Sequence, residues 1–364
     1  MGKPDTSIIE KTLRPPVASV GALGWVRANL FNGWFNSVLT LITLYGLGLV
    51  VPPMVRWLFI DSMWFTTGQI CRESSGACWS VISHNFRFIL FGFYPYDLQW
   101  RPLVAMLLLF ALLFYSRDRR HWRKSLFWAW IIGLAAMGLL MKGGILGLRS
   151  VDSAQWGGLP LTLLLSIFGL TAAYPFGVIL ALGRQSSMRG VKILCIVYIE
   201  LIRGVPLISL LFMGSIIFPL FLPEGVTINN ILRAQVAIIL FTAAYIAEVV
   251  RGGLQGMSKG QYEAAESMGL NYVLTMRLII LPQALKMVIP PTVSILISAF
   301  KDTSLVVIIA LWDLLKTTQS VLSNPEWMGF SREAYIFVAV LYFLGCFSMS
   351  QYSRRLEREL DTGH

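Results

Sequence analysis

Hydrophobic positions in this chain come in long unbroken runs. Sustained apolar stretches cover 34–60, 102–116, 125–141, 159–182, 193–222, 231–250, 287–312 and 333–352. Several approach the roughly 20 residues that a helix needs to cross about 30 Å of hydrocarbon. The period-two alternation of barrel strands is missing from them, so the pattern predicts helices. The expected fold class is an all-α integral membrane protein with about eight transmembrane helices. The first run starts near Trp34, after a segment carrying Lys3, Lys11, Arg14, Pro15 and Pro16. That run is expected to remain as a permanent span and not to be cleaved as a signal.

Composition agrees with the pattern. Of 364 residues, 56% are hydrophobic and only 13% charged, with a mean hydropathy of +0.67. The net charge of +11 would suggest nucleic acid in a soluble protein. Here the basic residues gather in short connections, as in cytoplasmic loops facing anionic lipid, so the lipid bilayer is the expected partner and nucleic acid is not. With both termini in the cytoplasm, the inner segments 1–33, 117–124, 184–192, 251–286 and 354–358 hold 19 of the 30 Lys and Arg. The outer loops hold seven: Arg72, Arg87, Arg101, Lys142, Arg149, Lys316 and Arg332. The reverse orientation would put "RDRRHWRK" (117–124) outside, against the strongest single signal.

The outer loop 61–101 holds Cys71 and Cys78, which flank "CRESSGAC"; Cys195 and Cys346 fall in spans. In an oxidising compartment the first pair suits a disulfide, and two free thiols is the other reading. The aromatic-rich segment 79–100 reads as an interfacial helix lying on the membrane, with a partner-facing surface as the alternative. A change of role falls near residue 155. Three spans and the long loop precede it, and five spans richer in small and polar residues follow.

No G-x-x-x-x-G-K-[ST] occurs, so no P-loop for ATP is expected. His84, His121 and His364 are scattered, and no metal-ligand cluster is visible. Nor does spacing assemble a nucleophile, a base and an orienting residue. The chain does not read as a self-contained enzyme, and no cofactor is expected in it.

Small residues Gly169, Ala173, Gly177 and Ala181 recur every fourth position, making one helix face that allows close approach in lipid. Pro175 interrupts the same helix and predicts a kink. Glu200 and Arg203 are spaced for an ion pair on one helix, and Gly204 and Pro206 predict a break just after. In "FKDTSLVV" (300–307), Lys301 and Asp302 lie inside an apolar run beside Thr303 and Ser304. Charges at membrane depth are costly and avoid lipid, so they should face the bundle interior, a partner subunit or a water-filled path. Pairing with each other would also account for them, as would a partner such as Glu200 or Arg203.

The stretch "MSKGQYEAAESMGL" (257–270) is an acidic, soluble-looking helix between two apolar runs. Ser258 with Gln261 matches a capping box, and Gly269 suits the left-handed residue after the helix end. Asn271 is placed to cap a second helix, and Pro282 precedes the return to the membrane.

Here the sequence resembles a known family. Glu263-Ala264-Ala265, then Gly269, Ile279, Leu281 and Pro282 match the spacing E-A-A-x3-G-x9-I-x-L-P of permease subunits of ABC importers. "YIELIRGVPLISLLF", "LPQALKMVIPP" and "FKDTSL" are similar to the polar amino-acid branch, over about 155–355. The first three spans and "FGFYPYDLQWRP" (91–102) resemble the long permease subunits of general L-amino-acid importers.

The resemblance implies a division into an N-terminal extension, 1–154, and a five-helix type I importer permease core, 155–364, in the bacterial inner membrane. It implies a second related permease, a periplasmic amino-acid-binding protein and an ATPase that binds ATP and Mg. Tyr262, Glu263, Ala264, Ala265, Glu266 and Gly269 are then the ATPase-coupling helix. Lys301, Asp302, Thr303, Ser304, Glu200 and Arg203 are candidates for the substrate path. An ion-coupled secondary transporter is an alternative, though the internal repeat it would need is not evident. A membrane scaffold or sensor with a permease-like fold is another.

Overall fold

The computed structural model describes residues 21–145 and 147–360. Lys3, Lys11, Arg14, Pro15, Pro16 and His364 lie outside the described residues.

Two compact units divide the chain between Cys78 and Trp79. In the first, α1 (Gly21–Asn29) precedes α2 (Trp34–Val55). The α2 helix passes through Pro52 and Pro53 and closes with a π turn, Arg56–Ile60. Both prolines lack the N–H that a regular ladder uses, and a widened turn follows them. The apolar stretch 34–60 is a single candidate span with none of its residues buried. After it, α3 (Gly68–Glu73) lies in a loop tied by a Cys71–Cys78 disulfide. Backbone hydrogen bonds from Met63 to Ala77 and from Ala77 to Trp57 bring that loop back to the helix end.

The second unit is built from α4 (Ser80–Phe91), α5 (Trp100–Ser116), α6 (Lys124–Lys142) and α7 (Gly158–Arg184). Next come α8 (Arg189–Gly204), α9 (Leu207–Phe212), α10 (Asn230–Gln255) and α11 (Lys259–Ser267). The chain closes with α12 (Tyr272–Thr275), α13 (Leu281–Met287), α14 (Ile289–Asp302), α15 (Leu314–Leu322) and α16 (Ser331–Leu360). Among the described residues seven helices, α2 among them, are long and apolar enough to span, and α8 with its continuation to Phe221 makes an eighth, bent one.

At the centre, α7 packs along α10. Gly169 lies against Gln235 and Ile238, and Gly177 against Ile246 and the Ala243 carbonyl. A Cβ at Gly177 would sit 2.7 Å from Ile246 Cγ2 and 2.9 Å from that carbonyl oxygen. The small-residue stripe is therefore a helix–helix seam. The α7 helix stays continuous through Pro175. Around this seam Ala173, Ala181, Ile199, Ala247, Val250, Ile280 and Ala284 form one buried cluster from α7, α8, α10 and the 257–288 loop.

The break predicted after Arg203 divides the stretch 193–222: α8 ends at Gly204 and the following helix turns through 104°. Val205 precedes Pro206, and the proline ring disfavours a helical conformation there. The run 287–312 recurs as a candidate span, Ile289–Ile309, but is α-helical only to Asp302. It tightens into a 3₁₀ helix over Thr303–Ile309 and ends at Ala310 with φ +59°. The segment 79–100 does not lie alone on the membrane surface. Its helix α4 buries Val81, Ile82, Ile89 and Phe91 and packs on α7, α15 and α16. Ile89 also accepts a hydrogen bond from Thr317 Oγ1 at 2.8 Å. One face of α4 is apolar enough to be buried, and protein covers it instead of lipid.

The α5 and α6 helices pair closely: a Cβ on Gly133 would meet Leu112 Cδ1 at 2.3 Å. They bury Ala105, Leu109 and Met137 against Leu163 and Ile167 of α7.

Candidate functional site

The loop between α10 and α14 is an ordered unit. Ser258 is the N-cap residue of α11 in extended conformation, but its side chain makes no capping bond. The expected capping box is absent because the Gln261 side chain points elsewhere, accepting from Gln283 Nε2 at 3.3 Å. The end of α11 is capped fully. Leu270 N–H donates to Ala265 O at 3.1 Å, and Gly269 N–H to Glu266 O at 2.8 Å. Gly269 has φ +74°, the left-handed geometry that glycine adopts without a Cβ penalty. Asn271 then caps α12, its side chain accepting from Leu274 N–H at 2.9 Å.

The two faces of α11 differ. Ala265 is buried and Tyr262 is half-buried against the α7–α8–α10 core. Glu263, Ala264 and Glu266 are exposed. Beside these carboxylates stand Met268, 76% exposed, with Tyr272, Val273 and Leu278. The acidic face was legible in the sequence. The apolar surface adjoining it was not, because it is assembled from both helices of the loop. An exposed apolar patch edged by charge is a surface suited to a protein partner.

Near the ends of α7, α8 and α10 lies a charged cluster. Arg184 Nη1, at the end of α7, donates to Glu200 of α8 at 2.9 Å and to Glu248 of α10 at 3.4 Å. Arg203 Nη1 lies 3.7 Å from Glu248, with its guanidinium 5.6 Å from the Tyr245 ring centre. Arg251 also donates to Glu248, and to Gln255 at 2.5 Å. The expected Glu200–Arg203 pair on one helix is thus replaced by pairs across three helices. Sequence reading missed Arg184, Glu248 and Arg251, although "EVVR" (248–251) has the spacing of a one-turn ion pair.

Lys301, Asp302, Thr303 and Ser304 fall at the change from α14 to 3₁₀ helix. Lys301 is exposed and Asp302 half-buried. Thr303 is fully buried, donating to Phe300 O at 2.7 Å, and Ser304 donates to Lys301 O at 2.8 Å. Among the described residues no ion pair joins Lys301 or Asp302 to Glu200 or Arg203. Nearby, Asp313 is fully buried and caps α15 by accepting from Leu315 and Lys316 N–H. Thr162 of α7 accepts from Leu314 N–H at 3.1 Å. The 3₁₀ segment that begins at Thr303 packs on α7 and α15.

Comparison with known proteins decides the family. A family model described as the binding-protein-dependent transport system inner membrane component matches residues 173–362. The inner membrane amino-acid ABC transporter permease protein YhdY of Escherichia coli (strain K12) is 46% identical over 94% of this chain and 94% of its own length. The chain belongs to this family of transport permeases. A second relative of the permease is the glutamate/glutamine/aspartate/asparagine transport system permease protein BztC of Rhodobacter capsulatus, 40% identical over 99% of both chains. Among solved structures, the crystal structure of an amino acid ABC transporter with histidines shares 31% identity at a TM-score of 0.50. It covers 56% of the permease and 92% of that chain. The permease is an all-α membrane protein of the type I ABC importer fold. Relatives match it over nearly its full length, so the N-terminal extension is shared with them.

Proposed function

We propose that this permease is the membrane subunit of an ATP-driven importer for L-amino acids in the bacterial inner membrane, with both termini in the cytoplasm. It pairs with a second related permease and receives substrate from a periplasmic binding protein. A separate ATPase, which binds ATP and Mg, docks on α11. Of the coupling residues, Glu263, Ala264 and Glu266 face that partner, Tyr262 and Ala265 seat the helix on the core, and Gly269 ends it; residues 301–304 with Glu200 and Arg203 support the substrate path. The extension within 1–154 braces the core spans, a role supported by the packing of α5 and α6 on α7.

The observation that carries this reading is the attachment of α11. Its inner face joins the same buried cluster as α7, α8 and α10, and its outer face is free. A push on Glu263 and Glu266 therefore reaches three spanning helices through close-packed contacts, which transmit displacement instead of absorbing it. Glu263→Lys tests it by placing repulsion where an acidic side chain meets its partner. The reconstituted complex is expected to keep its subunits while losing substrate-stimulated ATP hydrolysis and uptake together. Wild-type stimulation and uptake would remove α11 from the coupling role.

A further inference from the structure

The end of α5, the connection to α6 and the end of α16 enclose an open pocket of about 510 Å³. It has one apolar side and one cationic side. Phe114, 75% exposed, and Tyr115 supply the first, and Arg117, His121 and Arg355 the second. Neither the coupling surface nor the proposed path uses these residues.

Three observations identify what the pocket takes. The first is its depth. Trp122, in the connection that lines it, and Phe127 and Trp128, at the start of α6, are exposed at the junction of the apolar spans with the basic loop. Aromatic residues at that junction mark the headgroup level of a bilayer. The second is charge. The segment 117–124 contributes five basic residues against one acidic one. Asp118, the carboxylate lining the pocket, is held by Arg120 at 3.1 Å, and Arg355 pairs with Glu359 at 2.6 Å. Arg117 has no ion-pair partner among the described residues. A surplus of positive charge is left at the mouth.

The third is the ring of His121. It stacks on Tyr115 with centroids 4.0 Å apart, and its Nδ1 lies 3.0 Å from Tyr115 O. A carbonyl only accepts, so Nδ1 carries the proton in that bond. Nε2 is left to receive a hydroxyl proton from a ligand.

We propose that this pocket binds the headgroup of an anionic glycerophospholipid of the inner leaflet. Arg117 and Arg355 meet the phosphodiester, Nε2 of His121 accepts from a headgroup hydroxyl, and the upper acyl chain lies along Phe114. Basic pockets between spans at the cytoplasmic face take anionic headgroups in this way. The site would tie α5 and α16, at opposite ends of the sequence, to one lipid.

The assembled transporter is purified in detergent and titrated with phosphatidylglycerol, phosphatidylcholine or inorganic phosphate, and bound molecules are counted by native mass spectrometry. Phosphatidylglycerol is expected to be retained over phosphatidylcholine. Arg117→Gln with Arg355→Gln should weaken that retention about 30-fold, from the contribution of about fivefold per basic residue near the surface. Arg117→Lys, which keeps the charge, should retain most of the binding and shows that loss is not misfolding. Arg189→Gln, an exposed arginine at the start of α8, should change nothing. Equal retention of phosphatidylcholine, or an equal loss from Arg189→Gln, would reduce the site to diffuse surface charge and overturn it. Inorganic phosphate displacing the lipid at comparable concentration would overturn the lipid assignment in favour of a free anion. A loss with Arg117→Lys as large as with the double glutamine variant would also overturn it.

Discussion

Arg184, the last residue of α7, reaches Glu200 on α8 at 2.9 Å and Glu248 on α10 at 3.4 Å. One guanidinium thus joins three helices, α7, α8 and α10, and the last of these leads into the 257–288 loop. Glu248 is the hub, with Arg184, Arg203 and Arg251 all within 4 Å of it. Its side chain is 21% exposed, so it is neither a free surface group nor a fully desolvated one.

Replacing Glu248 with Gln leaves Arg203 and Arg251 without their carboxylate and Arg184 with Glu200 alone. Exposed pairs contribute at most about 1 kcal/mol, and breaking a fully buried pair costs about 3–5 kcal/mol. An intermediate loss of about 1–3 kcal/mol is expected on the same grounds. Thermal unfolding of the solubilised permease measures it, and an unchanged midpoint would show that the cluster does not contribute to stability.

The α7–α10 seam gives a second expectation. Gly177→Ala places a methyl against a backbone carbonyl that cannot rotate away, so the helices must separate. Overpacking of this kind costs about 1–3 kcal/mol. Gly46 of α2 has nothing within 4 Å of its would-be Cβ, so Gly46→Ala should be neutral or slightly stabilising. Equal melting behaviour of the two variants would contradict the close approach.

Asp313 predicts a pH dependence. Burial pushes its carboxyl up to about 6, against the backbone N–H groups of Lys316 and Leu315, which pull it down. The folded chain therefore holds this proton more tightly than the unfolded chain does. Its contribution to stability is greatest below about pH 4, falls as pH rises to about 6, and is level above that. Asp313→Asn keeps an acceptor for the α15 cap and removes the ionisation. The variant should lose this slope and melt higher than wild type above about pH 6. Melting curves across that range test it, and identical pH profiles for the two proteins would refute it.

The 301–304 turn predicts a transport phenotype without loss of assembly. Asp302→Asn keeps shape and removes charge, and Lys301→Met keeps length. Adjacent helical residues point about 100° apart, so the two variants probe different faces. Each is expected to assemble with its ATPase yet import poorly, or with altered preference between acidic and basic amino acids. Wild-type uptake and selectivity from both would assign these residues to packing alone.

Much of this permease was legible before any coordinates. The spans 34–60, 125–141, 159–182, 231–250 and 333–352 each recur as helices within a few residues at most ends. The termination of α11 at Gly269 and the cap at Asn271 were also readable, because both act across three to five residues. So was the seam of Gly169 and Gly177, since four-residue spacing puts them on one face whatever lies opposite.

The sequence could not say what lies opposite. Glu200 and Arg203 have the spacing to pair with each other, yet the tertiary structure gives Glu200 to Arg184 and Arg203 to Glu248. Arg184 and Glu248 are 64 positions apart, and only the packing of α7 on α10 makes them neighbours. The same holds for α4, whose apolar face fits a membrane surface equally well until α15 and α16 cover it. Hydropathy and caps are properties of one helix and its own backbone, so the sequence determines them. Ion-pair partners and the covering of a face depend on which helices meet, and long-range packing decides that.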